Sequence, residues 1–350
     1  MPTLTADALL SFARSLCEAG GVPVDEADTV ARSLVDANLA GHDSHGVIRI
    51  VQYLGAVADG RLQPGAPFTV EKETPALLVV DGGWGLGQVQ AHRLLARLTA
   101  KARQVGLAAG TLRQCGHIGR LGEYAEAAAA QGMGFLATVN SHGYARSVAP
   151  PGGIEGRIGT NPLCMGAPTS GEPVVLDIGT SVCAEGKVRV HFNKGQRVPE
   201  GWLLDANGRP TTDPSVLYRE PRGTILPLGG PQAYKGFGIG LLLDMFAGGL
   251  SGGPCSRPGH PLRVANAVFF LVLDPEQFAG REHFLREVSD LAAAVRSCPR
   301  AEGVQEILLP GDPERRERAR RRATGIPLDD GTWGQLADLA AKLRVSLPAG

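Results

Sequence analysis

Apolar residues recur at helical spacing from the start of the chain. Leu9, Phe12, Ala13 and Leu16 predict a helix over 5–19 that Gly20-Gly21 ends, and Val30, Leu34 and Ala37 predict a second over 24–40. Gly41 supplies a C-terminal stop, and the apolar pattern resumes from Ile48 to Val57 before Asp59-Gly60 breaks it. Residues 75–80 then predict a strand, GGWGLGQ a turn over 82–88, and an alanine- and leucine-rich run a helix to about Gln104. A strand over 106–112, a helix over AEAAAAQ and a strand over 134–140 follow. Strands and helices alternate here as they do in α/β proteins.

From 152 to 222 the texture changes to short β-rich pieces, PVVLDIGT and KVRVHF among them, spaced by the turn-forming WLLDANGRPTTDP. GFGIGLLLDMFAGGL predicts a glycine-punctuated helix, AVFFLVLD (267–274) a buried strand, and HFLREVSDLAAAVRSC a helix. A charged helical run begins at 312, and a last helix covers Trp333 to Leu343. No internal repeat or long linker divides the chain, so two interleaved lobes are expected.

Composition narrows the field. The 35 basic and 35 acidic residues balance, which gives no support for a general nucleic-acid or membrane partner. No run of 18 apolar residues is present, and MPTLTADALL lacks the regions of a signal peptide, so a cytoplasmic location is expected. Cys17, Cys115, Cys164, Cys183, Cys255 and Cys298 show no CxxC spacing and read as free thiols of a reducing compartment.

Candidate chemistry concentrates in a few stretches. GGWGLGQVQ lies between a strand and a helix but misses the G-x-G-x-x-G spacing, so it reads as a tight turn and not a dinucleotide fingerprint. GHDSHGVIRI (41–50) holds His42, Asp43, Ser44, His45 and Arg49. Its histidines suit acid–base work near neutrality and Arg49 suits a bidentate carboxylate clamp, while a capped helix start explains the same residues equally well. A metal pair has no HExxH-like completion, so no metal is expected. His117 in GHIGRLGEY and Asn140-Ser141 in NSHG stand at strand ends, where α/β crevices open. Asp177, Thr180 and Ser181 end the strand of VVLDIGTS, where Asp177 either supports a charged histidine or caps a helix. Lys235 precedes a helix whose amides suit a phosphate, the alternative being a glycine-rich helix contact. PERRERARRR (313–322) reads as a solvated helix face, with an anion site at the preceding PGD turn as the other reading.

In this order GHDSHGVIR, GHIGRLGEY, GTNP, DIGTS, AEGKVRV, GRPTTDP and YKGFGIGLLLD resemble the malate/L-lactate dehydrogenase family that lacks a conventional Rossmann domain. The family includes ureidoglycolate, sulfolactate and other 2-hydroxycarboxylate dehydrogenases and cyclic-imine carboxylate reductases. The resemblance implies an α/β, malate/L-lactate dehydrogenase-like fold with non-classical NAD(P) binding, a homodimer, and hydride exchange with a small 2-oxo or 2-hydroxy acid. It marks His45 as proton donor in reduction, His117 as the second active-site histidine, Asp177 as a carboxylate partner of His45, and Arg49 with Thr160 as substrate-binding. Ser141, Asp177, Ile178, Gly179, Thr180, Lys235, Gly236, Gly311 and Asp312 match cofactor-binding segments for NAD or NADP. The implied organisation is a helical, substrate-facing region over 1–115, an α/β cofactor-binding region over 116–310, and C-terminal helices over 311–350. Three departures stand out: Gly179 and Gly240 where the family has alanine, and Tyr234 where it has histidine.

The expected activity is NAD(P)H-dependent reduction of a small 2-oxo acid, reversible as a 2-hydroxy acid dehydrogenase. Reduction of a cyclic imine carboxylate and a catalytically silent metabolite-binding role are the alternatives.

Overall fold

The computed structural model describes residues 2–259 and 265–348. Its centre is a mixed seven-stranded sheet in the order β2-β3-β4-β11-β5-β6-β7. The strands are β2 (Thr69–Glu73), β3 (Leu77–Gly85), β4 (Leu107–Gly116), β5 (Gly134–Asn140), β6 (Leu163–Ala167), β7 (Val174–Ile178) and β11 (Ala265–Leu273). Only the β3–β4 pair is parallel. Each remaining neighbour is antiparallel.

That register decides where chemistry can gather. β4 and β5 both run antiparallel to β11, β3 runs with β4, and β7 returns to the β5 direction through β6. The carboxyl ends of β3, β4, β5 and β7 therefore meet on one rim, with β11 and β6 running the other way between them. Asn266 of β11 ties the rim together: its amide Nδ2 donates to Asn140 O at 2.9 Å, and its Oδ1 accepts from Ile118 N–H at 2.9 Å.

Three apolar clusters fill the molecule. The helices α1 (Ala6–Ala19), α2 (Val24–Leu39) and α3 (Arg49–Ala58) enclose the first, around Leu9, Leu16, Leu34 and Ile50. The C-terminal helix α10 (Asp330–Leu343) packs Leu336 and Ala340 into it, and the short pair β1 (Thr3–Leu4) and β12 (Ile326–Pro327) joins the two ends of the chain. The second cluster lies under α4 (Gly87–Val105) and α5 (Gly122–Ala129), where Leu94, Leu98 and Tyr124 meet Phe270 and Leu112 of the sheet. The third holds Val148, Ile158, Val188 and Leu203 beside the small sheet of β8 (Leu203–Leu204), β9 (Pro210–Thr211) and β10 (Thr224–Ile225). The large sheet takes strands from both sides of residue 115, so the regions 1–115 and 116–310 share one body.

Three expectations are corrected. KVRVHF is not β-structure: it lies in helix α6 (Glu185–Asn193). The β-branched alternation is overridden because the segment buries one residue, Val188, and an Arg189–Glu185 pair one helical turn apart closes its outer face. GGWGLGQ is not a turn throughout: β3 continues to Gly85 across an irregularity, with Gly83 and Trp84 at φ 55° and 61°, and α4 starts at Gly87. The charged run over 312–322 forms α9 (Asp312–Thr324), solvated at Arg316, Arg320 and Arg322 as expected but not throughout: Arg321 is 7 % exposed. The other helices are α7 (Ala233–Asp244), which passes into a wider turn over Met245–Gly249, and α8 (Arg281–Arg296).

Candidate active site

GHDSH forms a short 3-10 turn over Asp43–His45 between α2 and α3. Its backbone is fixed from within by Asn38 of α2. Asn38 Oδ1 accepts from Val47 N–H at 2.8 Å and its Nδ2 donates to Asp43 Oδ1 at 2.7 Å. Gly46 has to be glycine here, because an added Cβ would lie 2.2 Å from Asn38 Oδ1. From outside, α9 grips the same turn. Arg321 reaches Asp43 at 2.5 and 3.0 Å and Asn38 O at 2.8 Å, and Glu314 lies 3.2 Å from His42 Nε2. Arg318 adds contacts to Asp36 and Glu126, which also hold the buried Arg120. The basic cluster thus braces the histidine turn. Nothing in its composition pointed to that use.

The brace places His45 against His117, which follows β4. Their rings stack at 5.5 Å with 28° between planes. Both rings keep a solvent-facing edge, yet the protein around them pushes both pKa values down. Burial, with the Arg49 charge next, takes His45 to about 3; burial, Arg49 and then His45 hold His117 well below 6.5. Both imidazoles are therefore neutral near pH 7.

Sequence reasoning missed the partners of His117. Tyr53 Oη lies 2.7 Å from His117 Nδ1 and accepts from Gln88 Nε2 at 3.1 Å; Tyr53 and Gln88 are buried. Gly119 N–H also donates to Nδ1, at 3.3 Å. An amide N–H can only donate, so Nδ1 is an acceptor and the neutral ring carries its proton on Nε2. In the sequence Tyr53 is one position of the apolar stretch from Ile48 to Val57. Only the tertiary structure shows which atom it meets.

Arg49 extends from the first turn of α3, with Nε donating to Ser44 O at 2.6 Å and Nη1 to Gln52 Oε1 at 2.9 Å. Its positive charge acts on His45, His117 and Tyr53 alike, favouring the deprotonated form of each. Among the described residues it has no carboxylate partner.

Asp177 stands at the end of β7, but it does not pair with His45. One oxygen accepts from Gly122 N–H at 2.7 Å, and burial raises its pKa against the pull of that bond and of Arg120. His45 Nδ1 instead lies 3.1 Å from Ser44 Oγ. Ile178 and Gly179 follow on the open side of the rim, and a Cβ at Gly179 would make only ordinary contacts, so alanine fits there too. Thr180 is buried and its hydroxyl donates to Thr160 O and Asn161 O, both at 3.1 Å. Thr160 thus meets Thr180 through its backbone. Gly240 is explained by the same residue: its Cβ would lie 2.5 Å from Thr180 Oγ1. Ser141 begins the loop after β5, beside Asn140, whose Nδ2 bonds the buried Asp244 at 3.1 Å. Lys235 and Tyr234 are exposed on the first turn of α7, and Gly236 lets that turn approach Leu228 O, 2.2 Å from where a Cβ would stand.

Gly311 (φ 94°) turns the chain into α9, and Asp312 accepts from Leu309 N–H at 2.7 Å and pairs with Arg296 and Arg315. Arg296, Arg300, Arg315 and Arg316 line a cavity of about 340 Å³ there. Hydroxyl and ammonium donors on the rim with guanidinium groups beyond it suit a phosphate-bearing dinucleotide, so the residues present fit such a cofactor. No group of three or more His, Cys, Asp or Glu converges to hold a metal ion among the described residues.

A family model described as malate/L-lactate dehydrogenase matches residues 4–337. Hydroxycarboxylate dehydrogenase B of Escherichia coli O157:H7 is 37 % identical over 343 residues, 97 % of this chain and 93 % of that protein. The structure of sulfolactate dehydrogenase from Methanocaldococcus jannaschii superposes with a TM-score of 0.87 at 32 % identity, covering 99 % of this chain and 98 % of that one. Delta1-piperideine-2-carboxylate reductase from Pseudomonas syringae pvar. tomato gives 0.81 at 31 %, covering 97 % and 100 %.

Proposed function

Because this chain belongs to the malate/L-lactate dehydrogenase family, we propose that it reduces a small 2-oxo acid to the 2-hydroxy acid, reversibly, with a nicotinamide cofactor on the rim of the large sheet. The observation that carries the reading is the convergence of a carboxylate-binding cation, Arg49, with two neutral histidines. Bound nicotinamide supplies or removes the hydride at C2 of the substrate. Arg49 holds the carboxylate and fixes which face of C2 is presented. His117, with its proton on Nε2, donates a hydrogen bond to the C2 oxygen, and His45 exchanges the proton. A neutral His45 accepts the hydroxyl proton in oxidation. In reduction the incoming carboxylate offsets Arg49, the charge that depresses both histidines, and so eases protonation. Ser141, Ile178, Gly179, Thr180, Lys235, Gly236, Gly311 and Asp312 form the cofactor shelf in this reading, with Thr180, Gly236 and Asp312 acting through backbone placement.

Reduction of a cyclic imine carboxylate is the less favoured branch, because Asp177 bonds Gly122 N–H and not His45. We place the working unit as a homodimer on the exposed face of Ile239, Leu242, Met245, Phe246 and Leu250, an apolar patch that a lone chain would leave in water. No described helix is long and apolar enough to cross a membrane. The test is a panel of 2-oxo acids and cyclic imines, each with NADH and NADPH, followed by absorbance. Oxo-acid turnover lost in both H45A and H117A supports the reading. Turnover of imines alone, or full activity in both variants, refutes it.

A further inference from the structure

Gln52 has no part in the chemistry described so far, yet it shares a face of α3 with two residues that do. Gln52 and Tyr53 follow Arg49 by three and four positions, so the three side chains leave one side of the helix. On that side Tyr53 Oη lies 2.7 Å from His117 Nδ1. Arg49 Nε donates to Ser44 O at 2.6 Å, and Ser44 Oγ in turn lies 3.1 Å from His45 Nδ1. The face of α3 that carries Gln52 is therefore the face turned to the histidine pair.

Arg49 Nη1 donates to Gln52 Oε1 at 2.9 Å. A guanidinium only donates, so the atom that Gln52 turns to it is the carbonyl oxygen, and the amide Nε2 is left as a donor. No other hydrogen bond engages the Gln52 side chain among the described residues. Bidentate carboxylate binding needs parallel N–H groups, from Nε and Nη2 or from Nη1 and Nη2. Ser44 O takes the Nε hydrogen and closes the first edge. Gln52 takes one hydrogen of Nη1, and the other stays with Nη2 as the open edge. Both partners are neutral oxygens, so they fix the plane of the guanidinium without cancelling its charge. A glutamate at 52 would hold Nη1 harder but discharge it, and an apolar side chain would leave the arginine to be ordered only when substrate arrives.

We infer that Gln52 is the positioning residue of the carboxylate clamp: its Oε1 sets the Nη1/Nη2 edge of Arg49 toward the substrate, and its Nε2 adds a further donor to the carboxylate held there. The inference rests on the dehydrogenase reading above. Calorimetric titration of the full chain with oxamate and with oxamide, NADH or NADPH being present, tests it without turnover. Oxamate is a small 2-oxo carboxylate analogue and oxamide its uncharged counterpart. Oxamate is expected to bind about tenfold or more weaker in Q52L, and weaker still in Q52E, where one carboxylate meets another. Oxamide, which brings no charge, separates Q52E from Q52L by less. In turnover of the oxo acid the loss in kcat/KM falls on KM, as it does for binding made equally in the ground and transition states. Gln52 is exposed, and unchanged thermal melting of each variant shows that the fold is intact. Oxamate affinity unmoved in both variants overturns the inference, as does Q52E binding oxamate as tightly as the parent chain. A loss carried by kcat with KM unmoved also overturns it. In those three outcomes the dehydrogenase reading stands if the parent chain turns over an oxo acid; neither turnover nor oxamate binding in the parent chain removes both.

Discussion

Replacing Tyr53 by phenylalanine tests the tautomer assignment directly. The ring stays, and only the hydroxyl between Gln88 and His117 Nδ1 is lost. Gln88 is fully buried, and its Oε1 already lacks a partner. Stranding its Nε2 as well costs about 1–3 kcal/mol of stability, the desolvation of one buried polar group. His117 Nδ1 keeps only the 3.3 Å contact from Gly119 N–H, so the Nε2–H form loses its stronger support. If that bond contributes about 1.4 kcal/mol to presenting Nε2–H, kcat/KM falls about tenfold. Urea unfolding reads the first effect and initial rates the second, while 15N shifts of the imidazole report the tautomer independently. Native stability and native kcat/KM in Y53F, or a wild-type His117 carrying its proton on Nδ1, refutes the reasoning.

Other consequences are equally measurable. Since His45 is depressed to about 3 against 6.5 when unfolded, the unfolded chain binds more protons between those values. Its contribution to stability is complete above pH 6.5 and is lost as the pH falls toward 3; H45Q should flatten the acid side of a stability–pH curve. R49Q removes the carboxylate clamp and raises KM for the acid by roughly 30- to 150-fold at about 2–3 kcal/mol for a charged hydrogen-bonded pair. It also relieves both histidines, so the acid limb of oxidative kcat/KM moves to higher pH; an unmoved limb counts against Arg49 as a cause. R321M cuts the brace from α9 to the histidine turn. Its partner Asp43 is half exposed, so a loss of about 1–3 kcal/mol is expected in urea, with a drop in kcat that R321K partly restores.

The chain legibly encoded its local structure wherever one face of an element is buried. α1, α2 and α4 follow an apolar period because burial of one face selects the helix, whereas β5 and β11 are apolar runs because both of their faces are covered. The motif stretches also located His45, Arg49, His117 and the end of β7. KVRVHF failed because an exposed segment burying one residue has no face to report, so its period carries no information. Asp177 failed as a histidine partner because a carboxylate at a strand end takes whichever donor the packing brings, and α5 brings Gly122 N–H.

What only the tertiary structure decided is which distant residues share an atom-to-atom contact. Tyr53 lies unremarked in the apolar stretch 48–57, Gln88 ends a stretch that reads as a turn, and PERRERARRR reads as a solvated run. Packing α3 and α4 onto the rim makes the first two the support of His117, and docking α9 makes the third the brace of His45. Periodicity records how each segment meets water. The register of the sheet and the docking of α9 settle which side chains meet each other, and these depend on contacts as far as 283 residues apart.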